Sequence, residues 1–307
     1  MFEGFEEWDV SVGGVTIHGR SAGTGPAVVL IHGHPRTHTT WHRVAPRLVA
    51  AGFSVVCADL RGYGRSSKPP PDADHQTYCD RAMAGDVVGV MRALGHQEFA
   101  VVGHDRGSYV AYRCALDHPG HVAALAVLDS VPIVEALERA DARFAEMWPH
   151  WFFFSSPQAE RVINADPLAW YQPDAQKMGQ ANYDDLVVAV TDPDTVRAMV
   201  EDYRASLHVD RHHDQLDRDA GRTIACPTLV AWSSRDDMGT LYGDPAEIWK
   251  PWCSGPLVSA VVESGHHVAE ENPEQLTDLL HDFLAAFLVG RHPPTDGPSR
   301  RSVPSGS

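Results

Sequence analysis

Gly103-His104-Asp105-Arg106-Gly107 sets a carboxylate between two glycines. The apolar run Phe99-Ala100-Val101-Val102 precedes it and reads as a buried strand, and a segment with helical spacing follows. Strand, Gly-flanked turn and helix form the setting in which a nucleophile is held out on a sharp elbow. Most such elbows carry serine, and aspartate changes the chemistry. A carboxylate is already ionised at neutral pH and attacks without a general base. It transfers acyl groups poorly but displaces a leaving group from saturated carbon. The expectation is therefore carbon–halogen cleavage or epoxide opening rather than ester or peptide hydrolysis.

The elements around this turn alternate between strand and helix. Residues 6–21 read as a small hairpin, and Ala27–Ile31 and Phe53–Ala58 as buried strands. Residues 77–94 carry apolar positions at helical spacing and stop at Gly95. Val122–Leu128, Thr228–Trp232 and Leu257–Val262 read as further strands, and 273–289 as a closing amphipathic helix. This alternation predicts an α/β fold with a mostly parallel, doubly wound sheet and ligands at the carboxyl ends of its strands. Residues 132–215 interrupt it with aromatics and acidic residues but no strand-like run, and read as an inserted helical cap. The core is then 1–131 plus 216–290. The tail 291–307, rich in Pro, Ser, Gly and Arg, reads as disordered.

Composition narrows the partners. The chain has 307 residues, and 41 acidic against 25 basic side chains give a formal net charge of −16, which argues against nucleic acid and anionic membranes. The expected partners are a small-molecule substrate and water. Five scattered cysteines without a C-x-x-C pair read as reduced thiols of a cytoplasmic protein. No apolar run reaches transmembrane length. His32, His34, His38 and His42 suggest a metal cluster at first sight, but the Gly33–Pro35 turn breaks any converging spacing. The hydrolytic route needs neither metal nor cofactor, and none is expected.

The chain resembles an α/β-hydrolase and, within that fold, the haloacetate (fluoroacetate) dehalogenases. The resemblance is carried by His32-Gly33-His34-Pro35-Arg36-Thr37-His38, Asp59-Leu60-Arg61-Gly62-Tyr63-Gly64 and the Asp105 elbow. Leu128-Asp129, His150-Trp151, Glu201-Asp202-Tyr203-Arg204 and Glu263-Ser264-Gly265-His266 extend it over nearly the whole chain short of the tail. The first two blocks are shared with epoxide hydrolases and haloalkane dehalogenases. Arg106 and the His150-Trp151 pair are more specific.

The resemblance implies that Asp105 displaces halide and becomes an ester, and that His266 activates the water that hydrolyses it. It implies Asp129 as the acid holding His266, with Asp236, four residues after Trp232, as a rival. Backbone N–H groups of His34 and Arg106 would meet the oxyanion. His150, Trp151 and Tyr203 would hold the departing halide, each with one donor. Arg106 would pair with a substrate carboxylate. Where the family adds a second arginine, this chain has Tyr109, and Arg36 in the oxyanion loop is a candidate substitute for the missing charge. The substrates implied are short 2-halo carboxylates and the assembly implied is a homodimer.

Two other readings stand beside this one. An epoxide hydrolase uses the same aspartate with two tyrosines, here Tyr203 with Tyr171, Tyr183 or Tyr109. A weakly active, ligand-binding homologue is the alternative of another class.

Overall fold

The computed structural model describes residues 1–288, and the expected tail and the last residues of the second core segment lie outside them. Eight strands form one sheet: β1 (Glu6–Val12), β2 (Val15–Ala22), β3 (Ala27–Ile31), β4 (Ser54–Ala58), β5 (Phe99–His104), β6 (Val122–Leu128), β7 (Thr228–Ser233) and β8 (Leu257–Val262). Their order is β1-β2-β4-β3-β5-β6-β7-β8. β1 pairs with β2 and β2 with β4 antiparallel, and the remaining pairs are parallel.

The central strands are continuous apolar runs because both sheet faces are covered. Along β3, Val29 and Ile31 face one core while Val28 and Leu30 face the other. The first core is closed by the helices Asp80–Ala93 and Arg106–Asp117 and by the helices between β6 and β7, the expected cap, the second by the helices Ala45–Ala50 and Pro273–Leu288. Each fully buried Val, Leu or Ile contributes about 1.5–3 kcal/mol, so the alternation fixes strand register. β8 differs from the buried strand expected at Leu257–Val262: it is the sheet edge, and most of its side chains are partly or fully exposed.

After β3 the chain runs to β4 on one side and then returns to β5 on the other. This reversal opens a crevice at the carboxyl ends of β3 and β5, where ligands bind in such sheets. The elbow sits there. Between β6 and β7 the described chain is helical, from Ile133–Glu138 to Arg211–Asp219, with a π-helical turn at Ser206–Asp210. The cap boundary expected at 215 thus falls inside a continuous helix. The five cysteines are unbridged.

Candidate active site

Asp105 has φ 52° and ψ −120°, the strained turn of an elbow, between β5 and the helix Arg106–Asp117. The turn is possible only because its neighbours are bare. A Cβ on Gly107 would lie 2.5 Å from the Ile31 carbonyl oxygen, and one on Gly33 2.4 Å from Asp105 Oδ1. The backbone N–H of His34 donates to Asp105 Oδ1 at 2.7 Å. Asp105 also stands at the positive end of its helix. Burial would raise its carboxyl pKa, but the charge of His266, then His104 and the Arg106 backbone N–H, hold it well below the usual carboxylate range. It is an anion at any physiological pH.

His266 lies after β8, with Nε2 3.7 Å from Asp105 Oδ2. That is an ion-pair separation rather than a hydrogen bond, so its hold on Asp105 is mainly Coulombic. Its Nδ1 is 2.8 Å from Asp236 Oδ2 but 3.9 Å from Asp129 Oδ2. The expectation that Asp129 holds His266 is corrected by this geometry: Asp236, after β7, makes the hydrogen bond. Asp129 instead spends Oδ1 on the backbone N–H and hydroxyl of Ser233, at 2.7 and 2.9 Å. Its Oδ2 is buried without a hydrogen-bond partner, facing both His266 and His104. Burial lowers the His266 pKa, but Asp105 and Asp236 outweigh it and the imidazole is held well above its ordinary value.

His104 was not singled out in the sequence. Its Nε2 donates to the His266 carbonyl oxygen at 2.7 Å and so fixes the loop that carries His266. The elbow motif itself held the signal, since the residue before the nucleophile ends β5 beside the histidine loop.

A cavity of about 770 Å³ opens over Asp105. His150, Trp151 and Tyr203 all line it. Their rings meet one another: His150 and Trp151 have centroids 5.4 and 5.7 Å from Tyr203. Among the described residues none of the three makes a side-chain hydrogen bond, so three donors face the cavity unspent. Burial lowers the His150 pKa to about 4, leaving it a neutral donor. Tyr109, His34 and Arg36 line the cavity too, as do Tyr171 and the unpredicted Trp148. Trp148 Nε1 donates to Asp237 Oδ2 at 2.9 Å, joining cap to core at the cavity wall. Tyr183 is not among the lining residues.

Two expectations about cations are corrected. Arg106 is buried and does not line the cavity. Its Nε and Nη2 bind the Asp202 carboxylate, and Nη2 also donates to Ser206 Oγ at 2.6 Å. Tyr203 and Tyr109 pack over the guanidinium, centroids 4.7 and 4.9 Å from Cζ. The EDYR block therefore supplies a counterion beside the tyrosine it was read for. Arg36 reaches the cavity, but its charge is taken up by a two-pronged pair with Glu270 at 2.9 and 3.1 Å. The other sequence motif is structural: Asp59 accepts from the backbone and ring of His38 and from the Arg65 N–H, and Arg61 grips Asp86.

Two groups of potential metal ligands lie close together among the described residues: His18, His38 and Asp59, and His104, Asp129 and His266. The first is built into the core, where His38 Nδ1 and Asp59 Oδ1 are 2.9 Å apart. The second lies around Asp129 Oδ2, which is 3.8 Å from His104 Nε2 and 3.9 Å from His266 Nδ1. Of His32, His34, His38 and His42, only His38 belongs to either group.

Comparison with known proteins agrees with this frame. Residues 26–273 match the alpha/beta hydrolase fold family. A fluoroacetate dehalogenase of Burkholderia sp is 39% identical over 95% of this chain and 98% of its own length. A soluble epoxide hydrolase of Corynebacterium sp. (strain C12) is 29% identical over 89% and 95%. The solved structure of ALR0039 from Nostoc sp PCC 7120 superposes with a TM-score of 0.89 at 36% identity, covering 92% of this chain and 99% of that one. With its sheet order, its elbow and its catalytic-type His–Asp pair at the strand ends, the chain belongs to the alpha/beta hydrolase fold family.

Proposed function

We propose that this hydrolase cleaves carbon–halogen bonds through a covalent ester on Asp105. The observation that carries the reading is the convergence of three unspent donors, His150, Trp151 and Tyr203, on the cavity above an anionic nucleophile. A departing halide needs such donors, and the likeness to a fluoroacetate dehalogenase points the same way.

Asp105 Oδ2 bonds to the substrate carbon, and the carbon–halogen pair leaves with the halide. The ester is neutral, so His266 loses one of the two anions that raise its pKa and releases its proton to solvent. Neutral His266 then takes a proton from water, and the hydroxide attacks Cγ of Asp105. The His34 N–H, already on Oδ1, donates to the oxyanion. Collapse breaks the Cγ–O bond to the former substrate, and His266 returns its proton to the leaving alkoxide. The proton left on the Asp105 carboxyl passes to His266 and restores the ion pair. Asp236 holds the imidazole's orientation throughout.

Epoxide opening by the same aspartate is the second reading. It is favoured by the withdrawal of Arg106 from the cavity and by Tyr203, Tyr171 and Tyr109 lining it. The experiment is halide release from fluoroacetate and chloroacetate, with a styrene oxide diol assay beside it. Fluoride or chloride release supports the dehalogenase reading, and diol without halide replaces it. His266→Asn releases one halide per site and then stalls as the ester.

A further inference from the structure

The cavity above Asp105 is both too large and too acidic for a two-carbon acid. Its volume, about 770 Å³, is in the range that takes a drug-sized ligand. Much of its wall is aromatic, including Trp148, Trp151, Phe153, Phe154 and Trp170. Seven carboxylate side chains line it against Arg36, Lys177 and His266. Arg36 is paired with Glu270, and His266 lies between Asp105 and Asp236. That leaves Lys177, an exposed residue of the helix Ala175–Met178, as the one lining cation without an ion pair among the described residues.

The position beside the nucleophile tells the same story. Arg106 is neutralised by Asp202, whose other partner is the Tyr63 hydroxyl at 2.6 Å. The rings of Tyr109, Tyr203 and Trp151 stand around its guanidinium and face the cavity in its place. Its Nη1 has no partner and no solvent access, so a substrate carboxylate would reach it only by displacing those rings. Lys177 apart, an anionic substrate approaching the Asp105 anion would meet only cations already paired: Arg36 with Glu270, and His266 with Asp105 and Asp236.

We infer that the substrates are neutral α-halo carbonyl compounds carrying an aromatic group, such as α-halo anilides, rather than short halo acids. Asp202 and Tyr109 set this preference. The carbonyl activates the neighbouring carbon for displacement, the donors meet the halide, and the aryl group fills the aromatic wall. The inference rests on the hydrolytic dehalogenase reading above. The reaction is the same sequence: chloride leaves with the carbon–chlorine pair, the Asp105 oxygen that displaced it leaves as the hydroxyl of the glycolanilide product, water replaces that oxygen on Asp105, and one proton goes to solvent.

The test is steady-state chloride release from chloroacetate, chloroacetamide and 2-chloro-N-phenylacetamide, each divided by its uncatalysed rate with acetate ion. The corrected kcat/KM should rise in that order, with at least tenfold between first and last. In Tyr109→Arg the preference should move back toward chloroacetate by tenfold or more, through KM. Equal or better corrected kcat/KM for chloroacetate in the unaltered protein overturns the inference and leaves the dehalogenase reading standing. No catalysed chloride from any of the three removes that reading, and the inference with it.

Discussion

At the scale of single residues the site depends on who shares a proton with whom. Asp105 and Asp236 both raise the affinity of His266 for its proton, so the resting protein holds an ion pair rather than a free base. In the proposed reaction, alkylation cancels one anion, and the base appears only after the ester forms. Ester formation should therefore be independent of pH between about 5 and 8, because Asp105 is ionised throughout, its pKa being held below the normal 3.9 or so. Ester hydrolysis should fall as pH drops through the pKa of His266 in the ester, since only the neutral imidazole accepts a proton. Asp236→Asn removes the remaining raising charge and should shift that acidic limb to lower pH while reducing the plateau. Rapid-quench measurement of ester lifetime against pH checks both. Asp129→Asn, whose carboxylate is 3.9 Å from Nδ1, should cost about tenfold less in ester hydrolysis than Asp236→Asn, about 10-fold against 10²-fold on the scale of positioned proton transfer. The reverse ranking would return the role to Asp129. Asp105 and His266 were legible because the elbow and the Ser-Gly-His turn are local patterns. The choice between two acids was not, because it turns on about an ångström across loops 107 residues apart in sequence (129 and 236).

At the scale of elements, the elbow works because β3, β5 and the helix after Asp105 approach more closely than side chains allow. Gly33→Ala would put a Cβ 2.4 Å from Asp105 Oδ1 and 2.7 Å from the His104 carbonyl. The nucleophile and the His34 N–H would then part, and displacement by about 1 Å costs on the order of 10²-fold in rate. The expected result is kcat lowered by that factor with the circular dichroism spectrum unchanged, and unchanged kcat would contradict the geometry. Strands β3 to β7 were readable from their apolar runs, because burial on both faces leaves its mark residue by residue. The edge position of β8 was not, since its composition resembles that of an inner strand while its neighbours are set by topology.

At the scale of the molecule, the helices between β6 and β7, read in sequence as a cap, are joined to the rest of the fold by buried polar contacts rather than by a continuous strand. Glu270 of the core accepts from Arg36, Thr40 and the cap's Asn182 at 2.9, 2.9 and 3.0 Å. Tyr63 and Arg106 of the core hold the cap's Asp202, and Tyr112 and Arg113 hold Asp214. Glu270→Gln leaves the buried Arg36 without its counterion, which costs about 3 kcal/mol and should lower Tm by roughly 5 °C for a chain of 307 residues. Calorimetry decides it, and a shift under 2 °C would mean that the cap is held elsewhere. These anchors were not legible in advance. Arg36 and Glu270 lie 234 residues apart, and a charge in a loop looks the same in sequence whether it faces a substrate or a buried partner. The assignment of Arg36 and Arg106 to substrate binding failed for that reason. The central claim, that Asp105 becomes an ester which water then cleaves at Cγ, is tested most directly by a single turnover in ¹⁸O-labelled water with protein in excess over a chloroacetyl substrate or styrene oxide, followed by mass analysis of the peptide containing Asp105. The account predicts one labelled oxygen in the Asp105 carboxylate and none in the first product. Label found in the product alone would show that water attacks the substrate directly, and would contradict it.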